Sequence, residues 1–95
     1  MSTLNLRQIE AFKTVVERGT VGLAAKDLEI SQPAVSKLIS RFEKATELTL
    51  FNRERGRMVL THSGRRLYKE VEIIFSKLQQ LESAVEDIKR EHLDR

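Results

Sequence analysis

The feature that most constrains this chain is a repeating pattern of apolar residues in its last third. Seven of them are spaced by 4, 3, 4, 3, 4 and 3 positions, at Leu67, Val71, Ile74, Leu78, Leu81, Val85 and Ile88. This is the heptad spacing of a helix that packs along another helix. It predicts a single helix from the N-cap Thr61 to about Arg90, with an apolar seam ~32 Å long at ~1.5 Å per residue.

A chain of 95 residues has little else with which to cover such a seam. A compact body of about 60 residues is too small to bury its full length. We expect the early part, Leu67 to Val71, to pack on Leu6 and Phe12, and the later part to need a partner helix. The predicted dimer seam is Ile74, Leu78, Leu81, Val85 and Ile88. The alternative is a monomer in which this helix folds back on the body.

Three shorter helices are predicted before the seam. Apolar residues recur at mostly three- and four-residue spacing over Leu6–Arg18, about Val21–Leu28 and about Gln32–Thr46, which is the period of an amphipathic helix. Each segment follows a residue that can cap a helix, at Asn5, Thr20 and Ser31. The expected apolar faces contain Leu6, Ile9, Phe12, Val15, Val16, Val21, Leu23, Leu28, Val35, Leu38, Ile39 and Phe42. The small pair Ala24-Ala25 should let another helix approach closely.

The segment between the third and fourth helices predicts a β-hairpin. Leu50-Phe51 and Met58–Leu60 have the composition of short strands, and Gly56 lies near the tip between them. Arginines occupy alternate positions along this hairpin, at Arg53, Arg55 and Arg57. They would share one side of a strand that extended so far.

The predicted fold class is therefore mainly α. Three helices and a two-stranded wing form a winged helix-turn-helix over residues 1–60, and a long linker helix for dimerisation occupies residues 61–95. A helix-turn-helix lays its second helix in the major groove of DNA. Gln32, Ser36 and Lys37 lie near the start of that helix, where polar side chains can hydrogen-bond to base edges. The alternative is a plain three-helix bundle with a polar outer face.

The charge distribution favours a polyanionic partner. From Lys37 to Lys69 there are nine Lys or Arg against three Glu, a net charge of +6, whereas the whole chain carries +3. Such asymmetry suggests that a polyanion faces the middle of the chain. Arg55 at the hairpin tip can enter a minor groove, and Arg65 and Arg66 are candidates for phosphate contacts. The alternatives are a solvated basic face and a charged strand edge that discourages aggregation.

Other classes of function find little support in the sequence. There is no cysteine, which argues against a disulfide framework and a thiolate metal site. Neither a run of eighteen apolar residues nor an apolar signal core occurs, so we expect a cytoplasmic protein that does not enter a membrane. His62 and His92 lie far apart, without a catalytic or phosphate-loop motif. We therefore expect no enzyme activity, catalytic residue, metal or cofactor.

Three segments carry a shared signature. They read Ala24-Ala25 … Leu28 … Ser31-Gln32-Pro33-Ala34-Val35-Ser36-Lys37 … Ile39 … Phe42-Glu43, then Leu50-Phe51-Asn52-Arg53, then Leu60-Thr61-His62-Ser63-Gly64. Their order and spacing resemble those of the LysR-type transcriptional regulators, and the resemblance extends from Leu6 to about Ile88. It implies a winged helix-turn-helix followed by a linker helix, which in that family packs antiparallel against its partner.

The resemblance also implies roles for individual residues. Base contacts from the start of the recognition helix correspond here to Gln32, Pro33, Ser36 and Lys37. The family's minor-groove arginine is best matched by Arg55, and Arg7 matches an arginine that can touch the DNA backbone. With these matches, the residues assigned to phosphate contacts are Arg7, Ser31, Arg41, Arg53, Arg57 and Arg65.

Three positions depart from the family pattern. Lys37 stands where arginine is frequent, which loses a bidentate fork. Phe42 stands where leucine is commoner, and Gly22 replaces the usual serine, threonine or alanine, which puts a phosphate contact from the second helix in doubt. Family members are also much longer and carry a ligand-sensing domain. We therefore expect an isolated DNA-binding portion, with a small-molecule effector only in a longer parent protein.

The sequence as a whole predicts sequence-specific binding of double-stranded DNA by a bacterial LysR-type regulator. The heptad seam predicts that it binds as a homodimer, on an interrupted inverted repeat. The alternative is a coiled-coil interaction module that binds nucleic acid only non-specifically.

Overall fold

The computed structural model describes residues 4–93 and confirms the predicted fold class. Within these residues the elements are α1 Leu6–Arg18, α2 Val21–Leu28, α3 Gln32–Thr46, β1 Phe51–Glu54, β2 Arg57–Leu60 and α4 His62–Leu93. The first three helices begin and end where the sequence predicts. Helix α4 continues past Arg90, so that His92 lies in its last turn. The division into segments 1–60 and 61–95 stays a prediction, and its outer ends lie outside the described residues.

The boundaries of the three short helices follow from their caps. Asn5, Thr20 and Ser31 each accept a backbone N–H from the first turn of their helix, over 2.8, 3.1 and 3.2 Å. Each such cap contributes about 1 kcal/mol. Gly19 ends α1 in the left-handed conformation at φ 85°, which glycine adopts without strain. Short-range signals of this kind can be read directly from the sequence.

The core is centred on Phe12 of α1, whose side chain is fully buried. Its ring centroid lies 5.4 Å from that of Phe42 in α3, 5.4 Å from Phe51 in β1 and 6.1 Å from Tyr68 in α4. Tilted and edge-to-face ring pairs contribute about 0.5–1.5 kcal/mol each beyond their buried area. One side chain therefore connects four of the six elements.

Helix α1 also holds the first half of α4. The Lys13 ammonium lies 5.0 Å from the centroid of the Phe75 ring, in a cation–π contact.

Tyr68, on the same part of α4, is also shielded by this packing. Burial raises the pKa of the Tyr68 phenol, and the carboxylates of Glu17 and Glu72 raise it further, so the phenol stays neutral well into alkaline solution. Contact with the body ends here, because every described residue after Phe75 is exposed.

Some apolar residues assigned to the core lie nearer the surface than expected. Leu6 is 59% exposed, because α4 meets α1 further on: the ring of Tyr68 contacts Phe12, six residues after Leu6. Of the packing expected for Leu67, Tyr68 and Val71, the contact with Phe12 is confirmed, whereas the contact with Leu6 is wrong, since Leu6 is not part of the core. Leu23 is also exposed, whereas its neighbours Ala24-Ala25 are buried, as expected for a close approach between helices.

The start of α4 is fastened to the residues before β1. The Thr61 hydroxyl accepts the Gly64 N–H at 2.9 Å and donates to the Thr49 carbonyl oxygen at 2.6 Å. The Thr61 N–H donates to the Leu50 carbonyl oxygen at 3.0 Å. A Cβ atom on Gly64 would overlap that same oxygen and lie 2.8 Å from Leu60 Cδ2. We call these contacts the α4 latch; it depends on the absence of a side chain at position 64.

We expect Gly64→Ala to lower the free energy of unfolding by about 1–3 kcal/mol, because the methyl group must push α4 away from the Leu50 carbonyl. Urea unfolding followed by circular dichroism measures this change. Gly22→Ala is the matched control, since a Cβ there meets only the flexible end of Gln32, at 3.3 Å, and alanine favours a helix. Equal stability of Gly64→Ala and the parent chain would contradict the α4 latch.

Candidate nucleic-acid interface

A tight turn joins α2 to α3. Glu29 ends α2 in the left-handed conformation at φ 56°, and its N–H donates to the Lys26 carbonyl at 3.3 Å. The Ile30 N–H donates to the Ala25 carbonyl at 3.2 Å, and Ser31 then caps α3. Because both N–H groups donate back to α2, the chain changes direction within three residues. The two helices are thereby arranged as a helix-turn-helix.

Helix α3 buries one face and exposes the other. Its inner residues Val35, Ile39 and Phe42 are buried. The residues assigned to base contacts are all exposed at the start of the helix, and we call them the recognition face: Gln32, Pro33, Ser36 and Lys37. Arg41, one turn further on, is exposed as well. Spacings of three and four residues put them on one side, so the structure brings together the side chains that the sequence indicated.

The wing ends in a strained two-residue turn. Glu54 pairs with Arg57, and the intervening Arg55 and Gly56 have φ angles of 52° and 78°. Two left-handed residues are typical of a type I′ turn. An arginine costs about 1 kcal/mol or more in this conformation, yet it stands exposed at the tip. Asparagine or glycine would adopt this conformation at lower cost, so the turn alone does not account for an arginine at the tip.

The wing arginines do not share one side, because β1 ends at Glu54 and the single strand that this expectation required does not extend to Arg55 and Arg57. Arg53 pairs with Met58 across the hairpin, and Arg57 pairs with Glu54. Cross-strand partners share a face and neighbouring residues alternate, which puts Arg53 and Arg57 on opposite faces. The alternation predicted from the sequence fails because the chain reverses at Arg55, so that the three arginines do not belong to one strand.

The second strand of the wing is held, on the side of the tip, by the turn between α1 and α2. The Met58 N–H donates to the Gly19 carbonyl oxygen at 3.0 Å. The Arg57 guanidinium lies over Gly19, so close that a Cβ on this glycine would overlap it, with Cζ only 3.2 Å away. Arg57 remains exposed, but its side chain packs against the protein and positions the wing.

The other residues assigned to phosphate contacts are exposed: Arg7, Ser31, Arg41, Arg53 and Arg65. Arg65 donates through Nη1 to the Leu60 carbonyl at 3.2 Å. This bond braces α4 against β2, and the guanidinium has further N–H groups for another acceptor. Arg7 lines a small cleft with Glu10 and Leu28, which places it close to the end of α2.

The basic residues of this region lack acidic partners. Within residues 4–93, none of the nine Lys and Arg between Lys37 and Lys69 forms an ion pair. The ion pairs among these residues join Lys13 to Glu17, Arg18 to Asp27, and neighbouring turns near the end of α4. Exposed salt bridges contribute at most about 1 kcal/mol, so their absence costs little stability. It leaves α3, the wing and the start of α4 with uncompensated positive charge.

One supporting residue was not predicted from the sequence. The Glu43 carboxylate of α3 accepts the Leu50 N–H at 2.6 Å and the Phe51 N–H at 3.3 Å. Hydrogen bonds to a charged group contribute about 1.5–3 kcal/mol, and these two tie the recognition helix to the first strand of the wing. The sequence signal is faint: an acid directly after the core residue Phe42.

Four of the five residues assigned to a dimer seam lie beyond Phe75, where contact with the body ends, and Ile74 lies directly before it. They are between 38% and 61% exposed, at Ile74, Leu78, Leu81, Val85 and Ile88. Val71, one step earlier in the heptad pattern, is 2% exposed. The pattern therefore passes from the core to an uncovered surface. Despite this seam, no helix within residues 4–93 has the length and hydrophobicity needed to cross a membrane.

These features define a winged helix-turn-helix domain extended by a long helix. Residues 6–65, more than half of the chain, match the family described as bacterial regulatory helix-turn-helix protein, lysR family. The chain belongs to this family. It is the DNA-binding domain of a LysR-type transcriptional regulator, as the resemblance in the sequence implied.

Curated relatives agree with this assignment. The chain is similar to the transcriptional activator protein LysR of Escherichia coli (strain K12), with 43% identity over 89 residues, 94% of this chain and 29% of that protein. It is also similar to the octopine catabolism/uptake operon regulatory protein OccR of Rhizobium meliloti, with 39% identity over 88 residues, 93% of this chain and 30% of that one. The chain thus spans less than a third of these relatives, which are regulators and not enzymes.

Solved structures show the same fold bound to DNA. The BenM DBD in complex with catB site 1 DNA matches with a TM-score of 0.83 and 28% identity, covering 90% of this chain and 96% of that one. A complex of the CbnR DBD with DNA matches with a TM-score of 0.76 and 26% identity, covering 81% of this chain and 88% of that one.

We expect Arg55→Asn to separate the shape of the wing from its charge. Asn-Gly is a favoured pair in a type I′ turn, so the variant should be up to about 1 kcal/mol more stable than the parent in urea unfolding. Its affinity for duplex DNA should nevertheless fall about tenfold, because the groove contact predicted for Arg55 would be absent. Arg55→Lys, which keeps the charge, is the control. An unchanged affinity of Arg55→Asn would contradict a DNA contact at the wing tip.

Proposed function

We propose that this domain reads a specific duplex sequence through the recognition face, and that two copies bind an interrupted inverted repeat as a homodimer. The observation that carries the proposal is the exposed start of α3, where Gln32, Pro33, Ser36 and Lys37 share one side above a buried core. Lys and Arg of α3, the wing and the start of α4 add positive charge that no acid in an ion pair offsets.

The recognition face offers chemistry suited to the major groove. A glutamine carboxamide can pair with adenine through two hydrogen bonds, a lysine can donate to guanine acceptors, and a serine can serve either base. Gln32, Lys37 and Ser36 take these roles in the proposal. Pro33 contributes an apolar contact at the base edges, and its ring also favours the first turn of α3.

Outside the major groove, the proposal assigns Arg55 to the minor groove. The phosphate contacts come from Arg7, Ser31, Arg41, Arg53, Arg57 and Arg65. Arg57 and Arg65 are already oriented by Gly19 and by the Leu60 carbonyl, so they would meet the backbone with little loss of freedom. Phosphate contacts position a protein on DNA without specifying sequence, and the complexes of the BenM and CbnR DBDs with DNA support this partner.

The exposed half of α4 supports a homodimer. Leu81 and Ile88 are each 61% exposed in the single chain, and an apolar seam of this length needs a partner helix. A second copy offers the same heptad pattern. Two-fold pairing of two recognition faces matches two half-sites of opposite orientation, which is the reason for an inverted repeat.

Charge along α4 supports antiparallel pairing. Within the seam, residues 74–88, Lys77 lies near one end, whereas Glu86 and Asp87 lie near the other. An antiparallel pair brings Lys77 of each helix toward these two acids of its partner. A parallel pair would bring like charges together, which is unfavourable.

The proposal places the regulator in the cytoplasm, where its DNA lies. Since the chain spans less than a third of its curated relatives, it assigns small-molecule sensing to segments of a longer parent protein. No cofactor or metal ligand is needed for the contacts described here.

Gln32→Ala is expected to weaken binding to the specific site by about 1–3 kcal/mol and to relax base preference at one position. Fluorescence anisotropy with a duplex selected from a random pool, and with a random duplex, measures both affinities. Arg65→Ala is the control: it should weaken binding to both duplexes alike. It should also lower by about one the number of ions released on binding, which is read from the dependence of affinity on salt concentration. Equal losses on both duplexes for Gln32→Ala would contradict base reading, and no preference for any duplex in the parent would favour a coiled-coil interaction module.

Leu78→Glu is expected to dissociate the dimer, because it places a charge in the middle of the seam. Sedimentation equilibrium measures the change in mass. Ile73→Glu is the matched control, since Ile73 is 54% exposed on the same helix but lies outside the heptad pattern. An intact Leu78→Glu dimer, or dissociation by Ile73→Glu alone, would contradict the assigned seam.

A further inference from the structure

Gly22 lies in the first turn of α2, although its backbone does not require glycine. The glycines of the described chain that have positive φ are Gly19 and Gly56. Glycine is less favourable in a helix than alanine. The cap of α2 is provided by Thr20, which accepts the Leu23 N–H at 3.1 Å, so capping gives no reason for glycine either. The reason lies in what surrounds this position.

The space over Gly22 is occupied by the carboxamide of Gln32. A Cβ atom on Gly22 would lie 3.3 Å from Gln32 Nε2 and 3.7 Å from Gln32 Cδ, and no other atom beyond its own turn would lie within 4 Å. An approach of 3.3 Å would require the carboxamide to move by a few tenths of an ångström. Gln32 is exposed, so its side chain can yield without any change in the core.

This contact joins the two helix starts of the helix-turn-helix. Gln32 is the first residue of α3, and Gly22 is the second residue of α2. The side chain of Gln32 therefore contacts the first turn of α2 as it extends from the start of α3 toward solvent. Helix α2 can thus act on the orientation of the carboxamide without touching DNA.

We propose that Gly22 is a positioning residue for Gln32 and sets the base preference at one base pair of each half-site. The inference rests on the proposed role of Gln32 as a base contact. Pairing with adenine needs both the oxygen and the nitrogen of the carboxamide to face their partners on the base edge. Recognition of this kind requires the side chain to be placed to within about 0.5 Å. A side chain at position 22 displaces the carboxamide by an amount of the same order.

The test is a double-mutant cycle on Gly22→Ala and Gln32→Ala. Half-sites are first selected from random duplex DNA with the parent chain, and the base pair read by Gln32 is the one whose preference Gln32→Ala removes. Dissociation constants are then measured for four duplexes that differ only at that pair. We expect Gly22→Ala to change the preference by about threefold to tenfold and to have no effect on it in the Gln32→Ala background. Affinity for random duplex and the Tm should not fall.

The outcomes separate this inference from the proposed function. If Gln32→Ala changes no base preference, base reading by Gln32 is contradicted, and the inference falls with it. Suppose that Gln32→Ala removes a base preference, whereas Gly22→Ala binds the four duplexes with the same relative affinities as the parent chain. The inference alone is then overturned. The same holds if Gly22→Ala acts equally with and without the Gln32 side chain, because its effect would then pass through the helix.

The free protein gives a readout that does not involve DNA. Nuclear Overhauser contacts are expected between the α protons of Gly22 and the side-chain amide protons of Gln32. In Gly22→Ala the chemical shifts of these amide protons should move, while those of the Gln8 side chain, which serves as an internal reference, should stay. Absence of the contacts in the parent chain would overturn the inference.

Discussion

The packing of Phe12 is the interaction on which the rest of the molecule depends. Its ring contacts Phe42 of the recognition helix, Phe51 of the wing and Tyr68 of α4, so the three elements assigned to DNA contacts are positioned from one buried side chain. Their exposed residues do not have to hold them together. Arginine and lysine side chains on that surface can therefore stay unpaired for a ligand, at little cost in stability.

One of the three acidic residues in the basic segment is turned away from this surface. Glu43 turns inward and accepts hydrogen bonds from two backbone N–H groups at the start of the wing. This acid of the basic segment therefore serves as a structural hydrogen-bond acceptor. Glu17 and Asp27 pair with cations outside that segment. A domain with a net charge of only +3 can thus keep a strongly positive region, since a polyanion responds to the local field rather than to the total.

Features set by neighbouring residues could be predicted, whereas those set by long-range contacts could not. Capping by Asn5 and Ser31 acts within three residues, and the predicted helix boundaries agree with the structure. The exposure of Leu6, the packing of Arg57 over Gly19 and the inward turn of Glu43 depend on which elements meet in space. Helical periodicity gives the direction of a side chain but not what lies opposite it.

The α4 latch connects the two parts of the proposed function. Thr61 bonds to the residues before β1, and Glu43 bonds the same stretch to α3. A continuous series of short bonds therefore runs from the recognition helix to the helix that pairs two copies. In the proposed dimer, the distance between the two recognition faces is then fixed by packing and not by a flexible linker. Half-site spacing becomes a property of the folded domain itself, because any change in it must bend α4 or break this series.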